Sequence, residues 1–178
     1  MTVNSLTVTL PPLHKRQSEI VRSGARFNVL ACGRRWGKTR LGALLCLSVG
    51  LERGRAWWVA PSYKMAAVGW RLLRQLAQQI PGAEIHKGDQ LITLPGGGSV
   101  QVRSADDPQS LRSEGLDFVV LDECAFIVES AWIESLRPSL ADRRGGALFI
   151  STPKGRNWFW RLWQYAQSSG DPEWRAWQ

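Results

Sequence analysis

Four short apolar runs decide what this chain can fold into: 27–32 (FNVLAC), 55–60 (RAWWVA), 117–121 (DFVVL) and 147–151 (ALFIS). Each is five or six residues long and rich in β-branched or aromatic residues, which suits a buried strand better than a helix. Between them lie stretches with helical spacing, at 13–23, 39–49, 63–80 and 130–140, and a last one at 153–168 opened by Pro153 with Thr152 as its cap. Buried strands alternating with helices favour a mostly parallel sheet covered on both faces, so the predicted class is α/β. Residues 83–103 break the alternation. They read as β-structure with at least one hairpin, joined through Pro95-Gly96-Gly97-Gly98 and inserted between α/β units. Residues 105–113 read as a short helix or turn, and 168–172 as a polar turn, the last feature read along the chain.

A chain of 178 residues suits one domain, taken here as 1–178. Its longest weakly polar run, 41–51, is short of the ~20 apolar residues a membrane span needs. The first ten residues lack the basic charge of a secretory signal. Three cysteines, Cys32, Cys46 and Cys124, imply no disulfide framework and fit a reducing compartment. No Cys/His spacing suggests zinc.

Charge is unevenly spread. Residues 1–80 hold 13 Lys+Arg against two acids, Glu19 and Glu52, whereas 81–178 hold 10 against 13. Eighteen of the 23 basic residues are Arg, whose planar fork suits phosphate. A basic half expects a polyanion, either nucleotide or nucleic acid, although it also serves as a solvated surface. Ten Trp would suit base stacking. Most of them fall in apolar patterns, however, and are expected in the core.

Three motifs carry chemistry. The first, Cys32-Gly33-Arg34-Arg35-Trp36-Gly37-Lys38-Thr39, lies between a strand and a helix and reads as a phosphate loop. Backbone N–H groups at the helix start would face an anion, Lys38 would reach the β/γ-phosphates, and the Thr39 hydroxyl would ligate Mg²⁺. Cys32 stands where the usual motif has its first glycine. Gly33, Arg34, Arg35, Trp36, Gly37, Lys38, Thr39 and Arg40 are the loop's nucleotide-binding candidates. In the second motif, a strand delivers Asp122-Glu123 to its C-terminal edge, Asp122 for the Mg²⁺ shell and Glu123 to polarise water. The third, Ser151-Thr152-Pro153-Lys154-Gly155, reads either as a γ-phosphate sensor or as an ordinary helix start. Gln17 is a candidate reader of the adenine edge. Arg112, Arg34 and Arg35 compete as the arginine that neutralises transition-state charge.

The set Gly33–Thr39, Ala60-Pro61-Ser62-Tyr63-Lys64, Leu111-Arg112-Ser113-Glu114-Gly115, Val119–Glu123 and Ser151–Gly155, in that order over about residues 13–160, resembles the ATPase domain of large terminase subunits of tailed bacteriophages. The resemblance implies an additional-strand, RecA-like P-loop ATPase fold with ATP and Mg²⁺ as cofactors. It implies ATP-driven movement of double-stranded DNA into a preformed capsid in the cytoplasm of an infected bacterium. The implied partners are that DNA, a portal protein, a small terminase subunit and further copies of the chain in a ring, with the isolated domain monomeric. Lys38 and Thr39 would be the Walker A pair, Asp122 and Glu123 the Walker B pair, and Ser151-Thr152-Pro153 the coupling motif. Gln17 would contact adenine, and Arg112 would act in trans unless a loop arginine acts in cis. The family's nuclease domain would follow Gln178, so no DNA cutting is expected from residues 1–178. Two other readings compete: a helicase-type ATPase lobe, and a non-catalytic basic nucleic-acid-binding module.

Overall fold

The computed structural model describes residues 11–112 and 115–178. Ser113 and Glu114, in the middle of one motif, lie outside them, as do the first ten residues. The elements run α1 (Lys15–Ser23), β1 (Phe27–Ala31), α2 (Lys38–Leu51), β2 (Arg55–Ala60), α3 (Tyr63–Ala77), β3 (Glu84–His86), β4 (Leu91–Thr93), β5 (Ser99–Ser104) and β6 (Phe118–Asp122). A π-helical stretch, Ala131–Leu136, then runs into α4 (Arg137–Ser139), and β7 (Gly146–Ser151), α5 (Trp158–Ser168) and β8 (Trp174–Trp177) complete the order.

All eight strands share one sheet, ordered β3-β4-β5-β2-β6-β7-β1-β8. Pairing is parallel from β5 to β8 and antiparallel only across β3, β4 and β5. β7 lies between β1 and β6, so an additional strand separates the strand that feeds the phosphate loop from the one that ends in Asp122.

Alternation along each strand builds two cores. Leu30, Trp58, Val120, Leu148 and Ile150 point to the face covered by α2 and α3. Their neighbours Val29, Trp57, Val119, Leu121 and Phe149 point to the other, where Trp132, Leu136, Trp158 and Phe159 meet them. Adjacent Trp57 and Trp58 therefore serve opposite cores, as period-two geometry requires. Gly69 lets α3 lie directly on the Trp58 indole, because a Cβ there would sit inside van der Waals contact with that ring. None of the ten Trp is exposed: five are buried and five half-buried, so the indoles pack the fold.

Three sequence expectations change. The 83–103 segment holds the expected antiparallel hairpin between α3 and β6, but it is not set apart from the sheet, because β5 also pairs in parallel with β2. The helix expected from Pro153 begins at Trp158. Asn157, not Thr152, caps it, its Oδ1 accepting from Trp160 N at 3.1 Å, and Gly155 bends the intervening loop at φ 71°. The tail, in which the sequence reading marks only a polar turn, forms β8, which adds in parallel to β1. Trp174 inserts beside Phe27, at 4.7 Å between ring centroids, and Phe149, at 5.8 Å. Trp177 donates its indole N–H to Asn28 Oδ1 at 3.0 Å. Among the described residues no helix is long and apolar enough to cross a membrane.

Candidate active site

Strand register carries the three motifs to one edge. Ala31, the last residue of β1, stands opposite Ser151 at the end of β7, and Ile150 stands opposite Asp122 at the end of β6. Three neighbouring strands thus release the phosphate loop, Ser151-Thr152 and Asp122-Glu123 at their C-terminal ends, where open α/β sheets bind ligands.

The loop turns through two left-handed residues, Arg35 (φ 66°) and Gly37 (φ 89°). Gly37 is required twice over, since a side chain there would be strained and its Cβ would meet Gln17 Nε2 at 2.6 Å. Gly33 faces open space and Cys32 is buried in the core below, so the unusual first position makes no conformational demand that cysteine fails to meet. Lys38 opens α2 and donates from Nζ to the carbonyl oxygens of Cys32 and Gly33, each at 2.7 Å. Burial lowers its pKa, opposed by the charges of Cys32, Glu123 and Asp122, so the ammonium lies within electrostatic reach of both acids.

Asp122 is 9% exposed and accepts Glu123 N–H on Oδ1 at 3.0 Å. Burial, then the negative charge of Glu123, pushes its pKa up to about 7, with that N–H and Lys38 pulling the other way. A buried carboxylate in this condition gains from a hard cation. Mg²⁺ is commonly held by one or two carboxylates plus phosphate oxygens, so Asp122 with the Thr39 hydroxyl suits it. Among the described residues no group of three or more His, Cys, Asp or Glu could hold a metal. Glu123 itself is left-handed (φ 48°), an uncommon conformation for a residue with a side chain, and it leads into a 3₁₀ turn, Cys124–Phe126.

A cleft of about 390 Å³ is lined by Arg34, Thr39, Asp122, Glu123 and Thr152, together with Lys64, Met65, Val68, Phe126 and Lys154. Lys64 and Lys154 had no assigned role, although both lie within quoted motifs. Ser151 is fully buried behind the cleft, its hydroxyl accepting Ala125 N–H at 3.4 Å, so it joins the end of β7 to the turn after Glu123. Arg35 is exposed on the loop, and exposed Arg112 lies outside the cleft lining, leaving Arg34 the one candidate arginine in it. Arg40 turns away to donate to Pro12 O at 3.1 Å. Cys32 and Cys124 pack in opposite cores.

Gln17 sits under the loop at 3% exposure. Its Nε2 donates to Gly37 O at 3.1 Å and its Oε1 accepts His14 N–H at 3.2 Å. His14, which the sequence reading passed over, has its ring 4.8 Å from that of Trp36 and hydrogen-bonds Trp36 O through Nε2 at 3.1 Å. Its only sequence signal is the H-x-x-Q spacing of a capping box.

The raised pKa of Asp122 fixes a pH dependence. The folded chain keeps this carboxyl protonated up to about 7, against 3.8 for an unperturbed aspartate. Below both values its contribution to stability is fully present, and it is lost as pH rises through the folded value, by up to about 4 kcal/mol. In metal-free buffer, Asp122→Asn is expected to gain stability over the parent chain as pH climbs from 5 to 8. Urea denaturation across that range is the check, and a pH-independent difference would contradict the assignment.

Comparison with known proteins gives the family. The family described as terminase large subunit, T4likevirus-type, N-terminal, matches residues 29–169. The chain is 34% identical to the terminase large subunit of Thermus virus P23-45 over 89% of its own length, and 32% identical to that of Escherichia phage T5 over 84%. It spans under two fifths of the length of these relatives, 38% and 35% respectively. Among solved structures, the large terminase ATPase domain of Thermus phage P74-26 superposes with a TM-score of 0.79 at 29% identity, covering 93% of this chain and 80% of that one. The HK97 bacteriophage large terminase shares the fold, with a TM-score of 0.79 at 18% identity over 94% of this chain and 39% of that one. With the RecA-like P-loop fold in place and the family profile covering most of its length, the chain belongs to the N-terminal region family of phage terminase large subunits.

Proposed function

We propose that residues 11–178 form the ATP-hydrolysing motor domain of a DNA-packaging terminase. The observation that carries this reading is the arrival of the phosphate loop, Asp122-Glu123 and Thr152 in one cleft from the ends of three adjacent strands. The names of the relatives, one of them an ATPase domain, support it.

In this reading the N–H groups at the start of α2 and the Lys38 ammonium bind the phosphates. Thr39 and Asp122 would hold Mg²⁺, which would supply neutralisation of the phosphate charge. Glu123 accepts a proton from the attacking water, and its left-handed backbone sets the direction in which the carboxylate leaves the end of β6. Arg34 lies in the cleft and serves in cis, whereas exposed Arg112 is available to a neighbouring copy's site. Thr152 faces the cleft, and Ser151 joins it to the turn that follows Glu123, a route by which phosphate loss reaches the rest of the domain. The work so coupled is translocation of double-stranded DNA into a procapsid, with portal protein and small subunit as partners of a ring.

Calorimetric titration with Mg-ATPγS tests the site. The parent chain is expected to bind, and Lys38→Ala to bind about tenfold to a hundredfold more weakly, the scale of a lost charge-assisted contact. No binding by the parent, or equal binding by both, would refute the reading.

A further inference from the structure

Resting on the nucleotide site proposed above, we infer that His14 is a positioning residue: together with Gln17 it fixes two successive peptide planes of the phosphate loop, so that the loop N–H groups are aimed at the phosphates whichever base the nucleotide carries. The first turn of α1 reaches the loop twice. His14 Nε2 meets Trp36 O at 3.1 Å, and Gln17 Nε2 donates to Gly37 O at 3.1 Å. Gln17 N–H points to His14 Nδ1 at 3.4 Å, which makes that nitrogen the acceptor and leaves the proton on Nε2 to be donated to Trp36 O.

Peptide units are planar and trans, so a carbonyl held on one side points its N–H to the other. Fixing Trp36 O aims Gly37 N–H, and fixing Gly37 O aims Lys38 N–H. These two donors open α2, where the helix start faces an anion. Gly37 O also accepts Leu41 N–H at 3.0 Å, so its plane is held by both helices at once. The held planes flank the left-handed Gly37, the point at which a glycine would otherwise swing most freely.

Gln17 is held in this position from both ends of its amide: Oε1 accepts His14 N–H, one Nε2 proton goes to Gly37 O, and the side chain is 3% exposed beneath the loop.

The experiment separates helix capping from loop positioning. Asn is a good N-cap, so His14→Asn keeps a cap on α1, but its side chain is too short to span to Trp36 O. His14→Ala loses both. Binding of Mg-ATPγS, Mg-GTPγS and inorganic tripolyphosphate is measured by calorimetry, with thermal unfolding alongside and the Gly37 and Lys38 amides followed by NMR. His14→Asn is expected to unfold at the parent temperature yet bind all three ligands about three- to tenfold more weakly, the range of one lost hydrogen bond, with both amides shifted in the free protein. Gln17→Ala is expected to lower all three affinities as well. A loss confined to ATPγS would assign the pair to the base and overturn the inference. So would parent-like binding by His14→Asn. A parent chain that binds none of the three ligands would overturn the nucleotide site and this role with it, whereas a parent that binds beside an unaffected His14→Asn would overturn the positioning role alone.

Discussion

Glu123→Gln is expected to bind Mg-ATP as the parent chain does and to hydrolyse it about a hundredfold to ten-thousandfold more slowly, the usual contribution of a positioned general base. The substitution keeps the shape of the side chain and leaves unchanged the left-handed backbone at φ 48° and the hydrogen bond from Glu123 N–H to Asp122 Oδ1 at 3.0 Å. It removes only the capacity to take a proton. Phosphate release at saturating ATP, measured beside equilibrium binding, separates this variant from Lys38→Ala. The lysine variant loses affinity, and the glutamine variant loses turnover. Turnover surviving in Glu123→Gln would remove the acid from the chemistry and leave it a structural role in the turn it opens.

The second large effect concerns the tail. Trp174→Ala is expected to cost about 3 kcal/mol, in keeping with truncation of a packed aromatic residue that is not fully enclosed. For a chain of this size that lowers the melting temperature by roughly 10 °C. The ring lies 4.7 Å from Phe27, 5.8 Å from Phe149, 6.4 Å from Trp132 and 5.7 Å from Tyr165, centroid to centroid, so its loss opens the core that holds Trp132 and Phe149. Trp177→Ala is expected to cost less: its ring is half-buried against the other core and its indole N–H makes a hydrogen bond to Asn28, without the four-ring cluster that surrounds Trp174. Denaturant melts of both variants give the answer. A Trp174→Ala cost below about 1 kcal/mol would mean that β8 is laid on the sheet without supporting it.

The parts legible in the sequence are those in which one local pattern meets one physical demand. Runs such as RAWWVA are buried on both faces, and nothing but a central strand satisfies them. Gly37-Lys38-Thr39 at a strand-to-helix turn and Asp122-Glu123 at a strand end needed only the parallel sheet to bring them together, and its register did so. β8 was hidden because WRAW is four residues long, mixes Arg with Trp, and is a strand only by virtue of the open edge that β1 offers it. The late start of α5 was hidden because Thr152-Pro153 has the chemistry of a helix cap, while the cleft claims Thr152 and Asn157 supplies a second cap five residues on. His14 could not be found from its neighbours at all, since its partner is a carbonyl 22 residues away, on a loop that reaches it only after folding.

Placing β7 between β1 and β6 also works as a ruler. Hydrogen-bonded strands keep a nearly constant separation, so the roots of the lysine loop and of the acid pair stand two spacings apart, about 10 Å, and not one. Side chains of ordinary reach can then close on a polyphosphate from either bank without the sheet having to bend. Any sideways adjustment of that gauge must displace the middle strand, whose tip carries Ser151.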